Sequence, residues 1–143
     1  MNAEFTVAVH GLVYLYHKAD IISSAELSQN ICTNPARVRK VMAKLRRAGL
    51  VEAHEGKGSG YRALSGCGEI TLLQVLDALG EPAISAAWRS GDIDKECLIA
   101  SGMGKIMDDV YLGLNERCRE ELQTITIGTI NETIFGQKKT GGK

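Results

Sequence analysis

The residues best equipped for chemistry are four cysteines, at positions 32, 67, 97 and 118, and the pair His10 and His17, seven apart on one helical face. The cysteine spacings are wide and irregular and include no CxxC pair, so neither a zinc ribbon nor a dithiol redox motif fits. Two imidazoles without a third ligand make no metal site, and no cofactor is expected. Cys32 stands just before Asn34-Pro35 and close to Arg37 and Arg39. A helix N-terminus and nearby cations stabilise a thiolate and raise its reactivity. Cys97 lies in the stretch ahead of a long helix, Cys118 on the apolar stripe of that helix, and Cys67 within Ser65-Gly66-Cys67-Gly68, which reads as exposed. Trp88 beside Arg89 reads as an interface anchor or as the wall of a small-molecule pocket. No Ser/His/Asp set and no paired carboxylates stand at a telling spacing, so an enzyme is not expected.

The second chemistry is cationic. The 143 residues carry no net charge, but the charge is unevenly placed. Residues 1–64 hold nine Lys/Arg against five Asp/Glu, and residues 65–143 hold eight against twelve. Within 35–62 there are eight bases and two acids. Such concentration on one segment is the electrostatic footprint of nucleic-acid binding. No apolar run approaches the roughly 20 residues that span a bilayer, and Met1-Asn2-Ala3-Glu4 opens no secretory signal. The expected compartment is the cytoplasm, where the thiols stay reduced.

These residues need elements to position them. Phe5, Val9, Leu12, Val13 and Tyr16 predict a helix over 4–17 with that stripe buried. Ser23 or Ser24 caps a short helix that turns Leu27 and Ile31 inward. Asn34 is an N-cap and Pro35 suits the first position of the next helix, which Gly49 ends. Its apolar stripe is Val38, Val41, Met42 and Leu45, and bases cover the rest. Two strands, 50–55 and 61–64, flank Gly56-Lys57-Gly58-Ser59-Gly60 and predict a hairpin. A helix over 71–79 follows, then an irregular segment over 83–101. A long helix over 103–124 carries Met103, Met107, Val110, Leu114 and Cys118, and a short helix lies within 126–134. The tail from Gly136 to Lys143 has nothing to bury and is expected to be disordered.

Brace helix, tight turn, basic helix and glycine-tipped hairpin form a winged helix-turn-helix. The fold class is mainly α with a small β-hairpin wing, extended by a long C-terminal helix. The helix over 34–48 is the expected reader of double-stranded DNA, with one face packed and the other turned to phosphates and base edges. Contacts are expected from Thr33, Asn34, Arg37, Arg39, Lys40 and Lys44, and from the wing through Lys57, Ser59, Tyr61 and Arg62. The glycine-rich loop lacks the strand–loop–helix context and the GK[ST] ending of a nucleotide-binding loop.

The runs Thr33-Asn34-Pro35, Arg37-Val38-Arg39-Lys40-Val41, Leu45-Arg46-Arg47-Ala48-Gly49-Leu50-Val51, Gly56-Lys57-Gly58-Ser59-Gly60-Tyr61 and Ile70-Thr71-Leu72-Leu73-Gln74-Val75 closely resemble the Rrf2 family of bacterial regulators. That family includes the iron–sulfur cluster regulator, the nitric-oxide-sensing repressor and the cysteine-metabolism regulator. The resemblance covers residues 1–134. It implies a homodimer paired through residues 103–124 and bound to a pseudo-palindromic operator. It also implies a division into a DNA-binding domain over 1–82, a sensor loop over 83–101, dimerisation and terminal helices over 102–135, and a tail over 136–143. Cluster-binding members carry three closely spaced cysteines before the dimer helix, whereas here residues 88–106 hold only Cys97. A cluster needs about four ligands, mostly thiolates, so the chain falls in the branch without a cluster.

The expected function is therefore a transcription repressor, switched by a reversible disulfide between Cys32 and Cys97 across subunits. Alternatives are a regulator of the same family governed by a protein or small-molecule partner, or one that carries a cluster. From another class, a winged-helix protein-interaction module without DNA binding remains.

Overall fold

The computed structural model describes residues 1–140, with side chains through residue 136. Helix α1 (Ala3–Lys18) starts where the Asn2 side chain accepts the Phe5 amide, and it ends at Ala19 in the left-handed conformation. Ala8, Leu12 and Leu15 are fully buried, Phe5 and Val9 only partly, and Tyr16 is exposed. The buried arc is thus rotated from the expected Phe5–Val9–Tyr16 stripe. Apolar residues occupy nearly every side of α1, so spacing alone could not choose the arc. Packing against α3, α4 and α6 did.

Helix α2 (Ser24–Ile31) is capped by Ser23, whose hydroxyl accepts the Glu26 amide, and it buries Leu27. Helix α3 (Pro35–Arg47) begins as the sequence predicts: the Asn34 side chain accepts the Arg37 amide at 2.8 Å and Pro35 opens the first turn. Val38, Val41, Met42 and Leu45 are all completely buried. Burying such a side chain is worth about 1.5–3 kcal/mol, so these four hold α3 against α1, α2 and α4. Gly11 of α1 makes room for the contact, because a Cβ there would meet the Met42 methyl at 2.6 Å.

Strands β1 (Val51–His54) and β2 (Gly60–Ala63) pair antiparallel, with Val51 opposite Ala63 and His54 opposite Gly60. Ile22 adds a bridge to Tyr61, with both N–H···O bonds at 2.8 Å. Gly60 permits this approach, since a Cβ would collide with the Ile22 carbonyl. A short 3-10 turn over Cys67–Glu69 leads to α4 (Leu72–Leu79), which opens with a Thr71–Gln74 capping box and closes at Gly80 in the left-handed conformation. Cys67 is fully buried, not exposed as expected, and its Sγ lies 4.0 Å from the Leu12 carbonyl. Loss of water pushes its thiol up to about 11.

Helix α5 (Leu98–Gln123) begins five residues before the expected start, and α6 (Ile127–Thr140) follows. The chain forms two compact units, Met1–Glu81 with the chain from Leu122 onward, and Pro82–Glu121. In the first, α6 is anchored by the Leu72 amide on the Ile125 carbonyl and the Ile127 amide on the Ile70 carbonyl, both 2.9 Å. Ile127 is fully buried beside them. Helix α6 continues past Gly136, where the tail was expected to lose structure; residues 141–143 lie outside the described residues. In the second unit the segment after Pro82 lies along α5. Asn115 accepts the Ile84 amide at 2.8 Å, and Arg89 pairs with Asp108 at 2.9 Å. Gly91 sits against the Ala100 carbonyl, and Gly104 lies beneath the Arg89 guanidinium. Among the described residues no helix is long and apolar enough to cross a membrane.

Candidate nucleic-acid interface

With its apolar stripe buried, α3 turns Arg37, Arg39, Lys40, Arg46 and Arg47 outward. Beside it the hairpin presents a tip where Gly56 and Gly58 take φ of +85° and +78° and the Ser59 amide closes on the Gly56 carbonyl at 3.1 Å. Those angles suit glycine because it has no Cβ to clash. Lys57 stands between them, fully outside. Helix and hairpin enclose a cleft of about 540 Å³, walled by Arg39, Arg46 and Arg47 on one side and Ala53, Ser59 and Tyr61 on the other. The exposed start of α2, at Ser23 and Ser24, completes it. Burial pushes the Tyr61 phenol up, while Arg39 and Arg46 oppose that shift. Tyr61 therefore meets the cleft as a neutral hydroxyl flanked by guanidinium groups.

The cations of α3 are not equivalent. Glu4 of α1 reaches across and binds two of them, Lys40 at 2.9 Å and Lys44 at 2.8 Å. Hydrogen bonds from Lys44 and then Lys40 hold the Glu4 carboxyl below its ordinary value. Arg46 lies 3.7 Å from exposed Glu55, a pair of little strength. Among the described residues, Arg37, Arg39, Arg47 and Lys57 form no ion pair. Within α3 and the wing, the cations without an internal counter-charge thus lie at the first turns of α3, the wing tip and the cleft.

The other expected contacts divide. Thr33 is half-buried, its amide engaged by the Ser28 carbonyl at 3.0 Å. Asn34 spends its side-chain oxygen on the cap. Arg62 stands opposite Glu52, and strand alternation turns it to the face away from Tyr61 and the cleft. Arg46 and Arg47, absent from the expected set, line the cleft. Their place in the basic run was legible, but their direction was not. Glu4 was also missed, because nothing in the sequence links position 4 to positions 40 and 44.

The two candidate switch thiols occupy different environments. Cys32 is exposed at the C-terminus of α2 with φ of +64°, and its Sγ faces the carbonyls of Gln29 and Asn30 at 3.6 and 3.9 Å. The α3 amide expected to serve it is taken by Asn34. Cys97 is exposed immediately before α5, and hydrogen bonds from the amides of Ala100 and Ile99 hold its thiol below the ordinary value. Cys97 thus stands in a helix-terminus environment. The two belong to different units, and all four cysteines are free thiols. Trp88 is 79% exposed.

The sequence profile of the Rrf2 family, described as an iron-dependent transcriptional regulator, matches residues 1–133. The chain resembles the solved structure of a putative transcriptional regulator from Lactobacillus plantarum, at 23% identity and a TM-score of 0.80 over the whole of both chains. It also resembles T. potens IscR, at 15% identity and a TM-score of 0.66 over 93% of this chain and 87% of that one. The oxidized form of Staphylococcus aureus CymR matches at 15% identity and a TM-score of 0.66, over 92% and 94%. No curated protein matches the chain.

Proposed function

The chain belongs to the Rrf2 family of transcriptional regulators, and on that footing we propose that it is a homodimeric repressor that reads a pseudo-palindromic operator through α3 and the wing. The observation that carries this is a set of cations free of internal ion pairs on α3 and the wing: Arg39 and Arg47 line the cleft, while Arg37 is exposed on the first turn of α3 and Lys57 at the wing tip. Helix α3 enters the major groove, where Arg37 and Arg39 on its first turns meet base edges and phosphates. Arg46, Arg47 and Lys57 add salt-sensitive phosphate contacts. The partner copy docks on α5, which leaves Ile106, Val110, Leu112 and Leu114 exposed. Pairing there would place two α3 helices to read two half-sites of one duplex in the cytoplasm.

Control by oxidation is the finer part of the reading. The Cys97 thiolate attacks a peroxide, breaks its O–O bond and becomes a sulfenic acid as water or an alcohol leaves. The Cys32 thiol of the other protomer then displaces the sulfenic oxygen as water and the S–S bond forms, so two thiols lose two protons and two electrons to the peroxide. The described residues bring together no group of three or more His, Cys, Asp or Glu side chains that could hold an ion. This donor set does not fit the iron of the family's description.

A gel shift against genomic fragments with a salt titration tests the core of the proposal. Affinity should fall steeply with salt, and Arg39→Ala should cost about 1–3 kcal/mol on the preferred sequence. Absence of any sequence-preferred binding would favour a protein-interaction module instead. For the switch, non-reducing gels of Cys32→Ser and Cys97→Ser should each lose a reductant-sensitive dimer band. A parent chain that shows no such band after peroxide treatment sinks the disulfide.

A further inference from the structure

A second concavity lies away from the DNA-facing cleft and takes no part in the function proposed above. Helices α1 and α6 diverge to leave a half-open groove of about 660 Å³. Its floor is apolar: Phe5, Val9 and Val13 of α1 and Ile130 and Ile134 of α6. One wall is a flat slab in which the His17 ring stacks on Phe135 with centroids 3.9 Å apart and planes within 8°. The polar groups stand along α1. His10 Nε2 is 2.7 Å from Asn30 Oδ1, and the Tyr14 hydroxyl donates to Glu26 at 2.7 Å, so both are engaged. Lys18, with Nζ 5.5 Å from the Tyr14 ring centroid, is the lysine among the described residues that line the groove. Among the described residues no Asp or Glu lines the groove.

We propose that this groove is an effector site for an aromatic carboxylic acid. Three features select that class. The volume falls within the roughly 300–1,000 Å³ range of small-molecule sites. An apolar floor with a stacked ring pair in one wall suits a planar hydrocarbon body. An unpaired ammonium at the rim, with no lining carboxylate, suits an anionic head and rejects a cationic one. A second copy finds its apolar counterpart on α5 instead, where Leu98, Ile99 and Leu112 stand exposed among the acids of the second unit.

The groove is wired to the reading helix. Asn30, which holds His10, belongs to α2, two residues before the turn into α3, and α2 packs on α3. On its other face α1 receives Met42 of α3 at Gly11. A ligand wedged between α1 and α6 thus bears on α1 and, through Asn30, on α2, two of the three helices against which α3 packs. The effect on DNA rests on the operator-binding reading, whereas occupancy of the groove does not.

Isothermal titration of the full chain with 2-naphthoate, without DNA, tests the site. One-to-one binding is expected, with 2-naphthylmethylammonium weaker by about tenfold or more. Lys18→Glu should cost a similar factor while Lys18→Arg keeps the affinity. Ile134→Trp, which fills the floor from a half-exposed position, should abolish binding with the circular-dichroism spectrum and melting curve preserved. Equal binding of the ammonium probe, indifference to Lys18→Glu, or no heat from 2-naphthoate would overturn the proposal. So would Ile134→Trp that separates the copies in sedimentation without altering probe binding, since the groove would then belong to the dimer. A gel shift with saturating 2-naphthoate should change operator affinity by about fivefold or more. Binding of the probe by a chain that retains no operator affinity would leave the site standing and remove only the DNA reading.

Discussion

Helices α3 and α5 are both amphipathic and both basic or acidic on their polar side, yet they end in opposite states. Helix α3 buries every residue of its apolar stripe inside its own unit and turns charge outward. Helix α5 keeps Leu98, Ile99, Ile106, Val110, Leu112 and Leu114 exposed, with acids between them. The first helix is completed by its own chain, so its outer face is free for a polyanion. The second leaves apolar area that water disfavours and that a partner would cover. The difference teaches that amphipathicity alone does not assign a face: which side is finished internally decides what the other side can bind.

The largest expected effect separates the two stripes. Leu45→Ala in α3 should cost about 2–5 kcal/mol in chemical denaturation, because it opens a cavity in a filled core. Leu112→Ala in α5, at an exposed position, should cost less than about 0.5 kcal/mol in the same measurement on a dilute monomer. Comparable losses at both sites would mean that α5 is packed inside its own protomer.

Charge on the exposed stripe comes next. Val110→Glu with Leu114→Glu should weaken self-association by about tenfold or more in sedimentation equilibrium, through desolvated carboxylates facing one another. Secondary structure and monomer stability should be unchanged. An unaltered association constant would move the dimer interface off α5.

On α3 the finer test is Glu4. It neutralises Lys40 and Lys44 in the free protein, so DNA phosphates must compete with a carboxylate for both. Glu4→Gln should tighten non-specific DNA binding and steepen the salt dependence by up to about two counterions. An identical slope in the variant would show that these lysines do not reach DNA.

The smallest expected effect concerns the thiols. Cys97 sits where helix amides favour its thiolate, so the thiol is held below its ordinary value of 9.0. A lowered value means more thiolate at pH 7–8, and the alkylation rate of Cys97 should rise at lower pH in the folded chain than in the same chain in urea. Superimposable pH profiles would remove the helix-terminus effect.

Several features of the site were legible before any coordinates. Asn34-Pro35 marks a helix start because a side-chain oxygen and a missing amide both suit the first turn, and the structure has α3 begin there. The glycines of 56–60 mark a wing because two of them must take positive φ. Other features were hidden for physical reasons. The start of α5 is one: the helix begins at Leu98 rather than near Met103, and the segment ahead of it lays Arg89 over Gly104. Cys67 looked exposed among small residues, but its burial comes from α1, fifty-five positions away.

By itself the sequence determined the order of elements, the caps that bound them and the concentration of cations on α3 and the wing. All of these arise from interactions within a few residues, where side-chain type and backbone preference act directly. The tertiary structure alone decided which arc of α1 is buried, that Glu4 takes two lysines out of the free cation set, that Arg46 and Arg47 face the cleft while Arg62 turns away, and that Cys67 is buried. Each of those depends on residues far apart in the chain meeting at hydrogen-bond or packing distance, and local pattern carries no record of such meetings.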